Sequence, residues 1–307
     1  MKTLIVGQGA IGLLWYSHFK INKRQDVQLL ASPSFYTRGR QQMNHTVDFE
    51  NIQRSHIPLA LDLATPEFIK QCDIVIVCVK AFQLAAAITS LAPSLPEKAI
   101  VVLCHNGMIA DADIARIFNE RQRVISMLLT HGSKKESTLA VTHTGLGKTD
   151  IGLLRGELSP AEQQTLLSHL SAAFPPVYWH KNITTMRWQK LAINCVINPI
   201  CAINNSQNKV VLEQVHQESI DAILHEIIAI ATRHQISLDF EQLKNTVLNV
   251  AKLTGENVCS TLADIRAGKP SEIDYLNGFI HAEGQRFNIA TPMNTSMWQQ
   301  VTELSTK

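Results

Sequence analysis

A lysine and two asparagines recur at four-residue spacing in a largely apolar stretch of the sequence. Lys190, Asn194 and Asn198 stand at positions i, i+4 and i+8. At about 100° per residue, their side chains fall within an arc of about 80° on one face of a helix. Buried polar groups are costly unless they meet water or a ligand, so this narrow stripe indicates a ligand-facing surface. The alternative interpretation is the solvated face of an amphipathic helix, although such a face is normally wider and more charged.

This combination of side chains suits the reduction of a carbonyl group. A hydride added to a ketone leaves an alkoxide that needs a proton, and a partly desolvated Lys190 can donate it as a general acid. The amides of Asn194 and Asn198 can position hydroxyl or carboxylate oxygens without adding charge. Pro199 follows directly and has no backbone N–H, so we expect it to kink the helix and leave the carbonyl of Cys195 without its helical partner.

The start of the chain carries a glycine pattern that is typical of dinucleotide-binding sites. The pattern is G-x-G-x-x-G between a predicted strand and a predicted helix, and it comprises Gly7, Gln8, Gly9, Ala10, Ile11 and Gly12. The first glycine would permit a tight turn, the second a close approach of the pyrophosphate, and the third close packing of helix and strand. The amides at the helix N-terminus would face the phosphates. The alternative interpretation is a glycine-rich turn that binds nothing.

The residues after the second predicted strand favour NADP(H) over NAD(H). NAD-binding domains usually place an acidic residue about 20 positions beyond the glycines, where this chain has Ser32. No Asp or Glu occurs over 27–47, which instead contains Ser32, Ser34, Arg38 and Arg40. Hydroxyl and guanidinium groups suit the 2′-phosphate of NADP(H). The alternative is that the two arginines only solubilise a loop.

Two weaker signals lie at the ends of predicted strands, and a third lies at a predicted helix start. Lys80 follows the apolar run at 74–79, and Asn106 follows the run at 99–104. Ligands bind at the carboxyl ends of parallel strands in open α/β sheets, although both residues could equally belong to ordinary turns. Spacing alone gives Glu272 a structural role at the start of a helix, where a carboxylate stabilises the dipole.

Alternating strand and helix patterns predict a doubly wound α/β domain of the Rossmann type over 1–181. Short apolar runs predict buried parallel strands at 3–6, 26–31, 74–79 and 99–103. Helical patterns lie at 10–19, 83–91 and 109–118. Further strands, of either orientation, are expected near 124–129, 138–143, 149–154 and 177–179.

After about residue 181 the pattern changes, and we expect an all-α domain over 182–307. Helices are predicted at 186–203, 220–231, 240–253, 257–266 and 272–287. We expect the last of these to begin at Ser271 as N-cap, with Asp274 completing a capping box.

Composition excludes several classes of protein. The chain has 307 residues, which suggests about two domains, and its net charge of +2 gives no electrostatic reason to bind nucleic acid. No apolar run reaches the 18 or so residues of a membrane span, and Gly7 interrupts the N-terminus too early for a signal peptide. The 6 cysteines form no Cys-x-x-Cys pair and are expected to be buried thiols, and the 12 histidines show no metal spacing. We therefore expect a metal-free cytoplasmic protein, either a monomer or a homodimer.

In these motifs the sequence resembles the ketopantoate reductase (2-dehydropantoate 2-reductase) family. The resemblance spans about residues 1–290 and rests on the Gly7–Gly12 pattern, Val79-Lys80-Ala81, His105-Asn106-Gly107-Met108, the Lys-x-x-x-Asn-x-x-x-Asn-Pro block at 190–199, Arg266, and Glu272-Ile273-Asp274-Tyr275-Leu276-Asn277-Gly278. The resemblance implies NADPH-dependent reduction of 2-dehydropantoate to (R)-pantoate, a step toward pantothenate and coenzyme A. It also implies a Rossmann domain followed by a helical domain.

The resemblance assigns roles to individual residues. Lys190 matches the proton donor of the family. Residues matching its substrate-binding positions are Asn194, Asn198, Asn208 and Ser260, and those matching its cofactor-side or substrate-side positions are Lys80 and Asn106. Glu272 resembles the glutamate that contacts the cofactor, which revises its structural interpretation, and Ser133 resembles a residue whose backbone touches the nucleotide.

One departure from the family concerns the cofactor. Many members carry an arginine at the end of the second strand for the 2′-phosphate, whereas this chain has Ala31 and Ser32 there. Arg38 or another base would then have to take over this role. Two other functions remain open: reduction of a different branched 2-oxo acid, and binding of NADP as a non-catalytic redox sensor.

Overall fold

The computed structural model describes residues 1–23, 26–38, 45–118 and 122–305, and the chain divides into two units. The first unit comprises Met1–His105 and Asp111–Ile183, and the second comprises Asn106–Ala110 and Thr184–Lys307. The five residues Asn106–Ala110 thus belong to the second unit although both of their flanking segments belong to the first. No pattern in the sequence predicts this excursion.

The first unit alternates strands and helices over much of its length. Its strands are β1 (Thr3–Val6), β2 (Val27–Leu30), β3 (Thr46–Glu50), β4 (His56–Ala60), β5 (Ile74–Val77), β6 (Ile100–Leu103), β7 (Arg123–Leu129), β8 (Gly132–Ser137), β9 (Ala140–Gly145), β10 (Thr149–Arg155) and β11 (Val177–Trp179). Its helices are α1 (Ala10–Ile21), α2 (Pro33–Arg38), α3 (Pro66–Ile69), α4 (Leu84–Leu91), α5 (Asp111–Ile117) and α6 (Pro160–Ala173).

The larger sheet of this unit has the strand order β11-β10-β7-β6-β5-β1-β2. The strands from β7 to β2 are parallel to their neighbours, whereas β10 runs antiparallel to β7. Strands β1, β5 and β6 are buried at every position, because helices cover both faces of such a sheet. This confirms the predicted Rossmann-type fold and places the ends of β1, β5 and β6 side by side.

A second sheet, with the order β4-β3-β9-β8, is only partly predicted from sequence. The strand expected at 138–143 is present as β9, but β3, β4 and β8 have no counterpart among the predictions. In β3, polar and apolar residues alternate, with Val47 and Phe49 buried, which is the period-2 pattern of a half-exposed strand. Both β8 and β9 pack against α1.

A cluster of imidazole rings lies between α1 and this second sheet. His18 stacks on Phe174 with ring centroids 3.7 Å apart, and His143 and His131 lie within 5.4 Å of their nearest histidine neighbour in the cluster. Burial and the neighbouring imidazoles lower the pKa of His18 to about 3, and burial followed by the charge of His143 lowers the pKa of His131 to about 4. These rings are therefore neutral at pH 7. Two of them also bond the backbone: His143 Nε2 lies 3.0 Å from the carbonyl oxygen of Gly145, and the amide of Gly147 donates to His131 Nδ1 at 3.1 Å.

The second unit is helical, as predicted, and its described residues contain no strand. Its helices are α7 (Thr184–Ile203), α8 (Gln217–Arg233), α9 (Phe240–Leu253), α10 (Ser260–Arg266), α11 (Asn277–Phe287) and α12 (Pro292–Ser305). Helix α7 contributes many buried side chains to the core and contacts α8, α9, α10 and α12. The predictions contain neither α12 nor, in the first unit, α2, α3 and α6.

The predicted capping box at Ser271 is wrong. Ser271 Oγ accepts a 3.4 Å hydrogen bond from the amide of Ile273, and a single 3₁₀ turn over Ile273–Tyr275 follows. Helix α11 begins only at Asn277, since Leu276 has the non-helical angles φ −108° and ψ −105°. Continuous apolar periodicity across this break conceals the interruption.

Two further predictions from the sequence concern the cysteines and membrane-spanning helices. All six cysteines are buried and free, as expected. Within the described segments, no helix is both long and apolar enough to cross a bilayer.

Candidate functional site

The outer glycines of the N-terminal pattern are required by the fold of the first unit itself. Gly7 has a φ of +103°, and a Cβ there would lie 2.8 Å from the carbonyl oxygen of Cys78. A Cβ on Gly12 would overlap the carbonyl oxygen of Gly7. Side chains at either position would therefore push apart β1, α1 and the residue that follows β5.

Gly9 has a different reason to be glycine. Its φ of −73° suits any residue, and a methyl group added there would have the oxygen of Cys78 as its nearest atom, at an ordinary contact distance of 3.7 Å. The protein thus leaves open space beside Gly9, which is the N-cap residue of α1 and precedes amides that lack helical partners. Such a cradle accepts the phosphates of a dinucleotide and would be narrowed by a side chain.

Gln8 joins this cradle to the end of β2. Its Oε1 accepts a 2.9 Å hydrogen bond from the amide of Ser32, and its Nε2 lies 3.4 Å from Ser32 Oγ. Ser32 Oγ in turn lies 2.9 Å from Ser34 Oγ. Two hydroxyls therefore stand where an NAD-specific domain usually carries a carboxylate. The side chain of Arg38 and the whole of Arg40 lie outside the described residues.

Lys135 is a neighbour of the cradle that the sequence analysis missed. It lies on β8, and its Nζ donates a 2.6 Å hydrogen bond to the backbone oxygen of Gln8. The side-chain alternation of a strand places Lys135 on the same face as Ser133, which the resemblance already assigned to the nucleotide. That alternation is the signal that could have identified it.

The other two cofactor-side predictions in this unit lie at element ends. Lys80 follows β5 and precedes the 3₁₀ turn Ala81–Gln83, and its amide donates to Gln83 Oε1 at 3.2 Å. Ser133 lies on β8 with its Oγ buried and, among the described residues, without a hydrogen-bond partner. The role that the resemblance implies for Ser133 involves its backbone and not this hydroxyl.

In the second unit, the predicted polar stripe lies on α7. Lys190 and Asn194 are half-buried, and Asn198 is 5% exposed. The opposite side of α7 is packed into the core by Ala192 and Val196 among others, so the stripe interrupts an otherwise apolar part of the helix. Within the described part of the chain, no group hydrogen-bonds to the side-chain amides of Asn194 or Asn198. Amides removed from water normally have hydrogen-bond partners, so the side chains of Asn194 and Asn198 are suited to form hydrogen bonds with a ligand.

Asn106 and Glu272 approach one another in the second unit. Asn106 Nδ2 lies 3.4 Å from Glu272 Oε2, and the Glu272 side chain is buried. The amide of Met108 also donates to the carbonyl oxygen of Tyr275 at 2.8 Å. Gly107 has a φ of +78°, and a Cβ there would overlap that same oxygen. The structure thus brings together two predicted residues that are 166 positions apart.

Asn208 and Ser260, the other predicted substrate residues, have different surroundings. Asn208 is buried, its Nδ2 donates to Thr254 Oγ1 at 2.9 Å, and its Oδ1 lies 3.6 Å from Cys201 Sγ. Its amide is therefore engaged within the protein. Ser260 is exposed at the start of α10, next to Cys259, whose Sγ lies 3.7 Å from the backbone oxygen of Asn198. Ser260 thus follows a residue that contacts the stripe, whereas the side chain of Asn208 bonds residues near the ends of α7 and α9.

Comparisons with known proteins match both parts of the chain. The family described as "Ketopantoate reductase PanE/ApbA" matches residues 3–156, and "Ketopantoate reductase PanE/ApbA C terminal" matches residues 182–305. The chain is 33% identical over 306 residues to the 2-dehydropantoate 2-reductase of Shigella flexneri, covering 98% of this chain and 94% of that protein.

Two solved structures share the fold. A PanE/ApbA family ketopantoate reductase from Ralstonia eutropha JMP134 is 24% identical, with a TM-score of 0.86 and coverage of 100% of this chain and 99% of that one. A D-mandelate dehydrogenase solved with NADH and anilino(oxo)acetate is 19% identical, with a TM-score of 0.87 and the same coverage. From the two family matches and the full-length relatives, we conclude that the chain belongs to the ketopantoate reductase family of oxidoreductases.

Proposed function

We propose that this protein reduces 2-dehydropantoate to (R)-pantoate with NADPH, a step toward pantothenate and coenzyme A. The observation that carries the proposal is the stripe on α7, where a half-buried lysine shares one helix face with two amides that have no partner among the described residues. The name of the relatives, 2-dehydropantoate 2-reductase, supports the choice of substrate.

Each residue of the stripe has one task in this reaction. Lys190 donates a proton to the C2 oxygen as it becomes an alkoxide, so that the ketone ends as a hydroxyl group. Asn194 and Asn198 bind substrate oxygens through their amides and hold the ketone in one orientation. Ser260 binds the substrate carboxylate through its hydroxyl. We assign Asn208 to the same substrate set by resemblance only, because its amide already bonds within the protein.

The glycine cradle is the main attachment point for the dinucleotide. When bound, NADPH supplies the hydride that reduces the ketone. The Gly7–Gly12 cradle fits the pyrophosphate because Gly9 leaves space and α1 presents its amides there. We assign Ser32, Lys80 and the backbone of Ser133 to the nucleotide, and Asn106 and Glu272 to the end of the cofactor nearest the substrate.

A steady-state assay tests this proposal. Purified protein is given 2-dehydropantoate with NADPH, then with NADH, and then a panel of other branched 2-oxo acids with each cofactor. We expect the highest kcat/KM with 2-dehydropantoate and NADPH. A higher kcat/KM with another oxo acid would keep the mechanism and replace the substrate. Tight NADPH binding with no turnover on any oxo acid would overturn the enzymatic proposal in favour of a redox sensor.

A further inference from the structure

The hairpin formed by β8 and β9 turns two adjacent lysines in opposite directions. Lys134 is exposed, and its Nζ forms an ion pair with Glu136 at 2.9 Å. Lys135, the next residue, is half-buried on the other face of the strand. Because successive side chains of a strand alternate between faces, only Lys135 points toward α1, against which β8 packs.

The Lys135 ammonium is held at the glycine cradle. Its Nζ donates to the backbone oxygen of Gln8 at 2.6 Å, and the side chain of Gln8 bonds both the amide and the hydroxyl of Ser32. Ser34 Oγ completes the group, 2.9 Å from Ser32 Oγ. One residue, Gln8, thus connects a cation on β8 with two hydroxyls at the end of β2.

This group has the chemistry of a phosphate site. An ammonium and hydroxyls bind phosphate oxygens through charge-assisted hydrogen bonds, which are stronger than neutral ones. A phosphate would be repelled by a carboxylate, and no Asp or Glu occurs over 27–47. An ammonium group has three N–H donors, so a lysine can bond a backbone carbonyl and a phosphate oxygen at the same time.

We propose that Lys135 binds the 2′-phosphate of NADPH together with the hydroxyls of Ser32 and Ser34. The cation therefore comes from the second sheet rather than from the end of β2, where the chain has no arginine. This inference rests on the proposed use of NADPH and adds the residue that determines the choice between NADPH and NADH.

Nucleotide binding tests the inference without any need for turnover. Dissociation constants for NADPH and NADH are measured by calorimetry on the full chain and on the K135M, K134M and K135R variants. We expect K135M to weaken NADPH binding by about 10- to 100-fold, the range for a lost charge-assisted hydrogen bond. NADH binding should change by no more than about twofold, since the NADH ribose carries no 2′-phosphate. K134M should bind both nucleotides normally, and K135R should retain most of the preference.

Adenosine 2′,5′-bisphosphate and AMP serve as second probes because both lack the nicotinamide. We expect K135M to lose affinity for the bisphosphate and to keep its affinity for AMP. The role of Lys135 would be overturned if K135M lost equal affinity for NADPH and NADH, or equal affinity for the bisphosphate and AMP. An unchanged preference for NADPH in K135M would overturn it as well. A wild-type protein that shows no preference for NADPH would instead overturn the cofactor in the proposed function, and the inference with it. Circular dichroism melting of each variant establishes that the fold is retained.

Discussion

The side-chain amide of Asn277 donates a hydrogen bond to the backbone carbonyl of Cys195, with an Nδ2–O distance of 3.0 Å. In an uninterrupted helix this carbonyl would accept from the amide four residues later, but that residue is Pro199. Asn277 lies at the start of α11 and so replaces the partner that the proline removes. The same Nδ2 also bonds Asn294 Oδ1 at 3.0 Å, which connects α7 with α12 through a buried polar chain. The turn of α7 that contains the proline is thereby stabilised by a side chain 82 positions away from Cys195.

Removing the amide of Asn277 should destabilise the second unit. N277A leaves the carbonyl of Cys195 buried and unpaired, which costs about 1–3 kcal/mol in the free energy of unfolding. P199A restores a backbone N–H at the position where the helix itself can bond that carbonyl. The N277A/P199A double variant should therefore lose less stability than N277A alone. Urea unfolding of the four proteins measures the coupling.

This account of the Asn277–Cys195 bond would be contradicted if the effects of N277A and P199A on the free energy of unfolding were simply additive. T302A is a suitable control, since Thr302 is an exposed residue of α12 whose hydroxyl donates to the local carbonyl of Trp298. Its free energy of unfolding should stay within about 0.5 kcal/mol of the wild type.

Removal of the proposed proton donor should affect turnover far more than binding. K190A should lower kcat with 2-dehydropantoate by about 100-fold or more, the usual contribution of general acid catalysis. The dissociation constant for NADPH should stay nearly unchanged. K252A, on the exposed end of α9, is the matched control and should keep the wild-type kcat. A K190A enzyme with near-normal kcat would mean that another group donates the proton.

Alanine at Gly9 should weaken cofactor binding, whereas alanine at Gly12 should lower the stability of the fold. G9A should fold with nearly the wild-type melting temperature, because a methyl group there meets only an ordinary 3.7 Å contact. It should nevertheless bind NADPH at least about 10-fold more weakly, since the methyl group occupies the space of the pyrophosphate. G12A should melt much lower, because its Cβ would overlap the oxygen of Gly7. Thermal melts and NADPH titrations of both variants check this; a strongly destabilised G9A would assign Gly9 to the fold instead.

The imidazole cluster should make the first unit sensitive to acid. His18 and His131 have folded pKa values of about 3 and about 4, below their ordinary value of 6.5. Below pH 6.5 the two histidines bind protons in the unfolded chain but stay neutral in the folded chain until the pH approaches their folded pKa values. The free energy of unfolding therefore falls as the pH falls from 6.5 toward those values. Above pH 6.5 both states leave the rings neutral, and the contribution of the cluster is constant.

A variant that keeps an aromatic ring at position 18 but cannot bind a proton isolates the contribution of His18. H18F preserves the stacking on Phe174 and, since His18 Nε2 is buried without a partner among the described residues, gives up no hydrogen bond of that nitrogen. The decrease in urea midpoint between about pH 7.5 and about pH 5 should be smaller in H18F than in the wild type. As a control, H56Q removes an exposed histidine whose surface ion pair with Asp48 contributes little, so its urea midpoint at about pH 7.5 should stay close to that of the wild type. An identical decrease in H18F would exclude His18 as a source of the acid sensitivity.

Much of the fold could be predicted because the decisive patterns are local. The G-x-G-x-x-G pattern directly follows the apolar run of β1, and the spacing of Lys190, Asn194 and Asn198 fixes their common face on any helix. The position of α11 could not be predicted, because Ile273, Leu276 and Ile280 continue an apolar pattern across a break in the backbone. Lys135 was missed for another reason, since it meets Gln8 only after β8 pairs with β9, and that contact spans 127 positions.

The excursion at Asn106–Ala110 limits how this protein can be cut or recombined. A fragment that begins at Thr184 would contain Glu272 and Tyr275 but would lack the Asn106 amide and the Met108 N–H that bond them. Likewise, a chimera that joins one relative's residues up to 183 to another's remainder would bring a foreign five-residue insert into the helical unit. Gly107 would then have to fit the carbonyl of a Tyr275 from a different parent. Successful exchange of the helical unit between relatives therefore requires residues 106–110 to be transferred together with it.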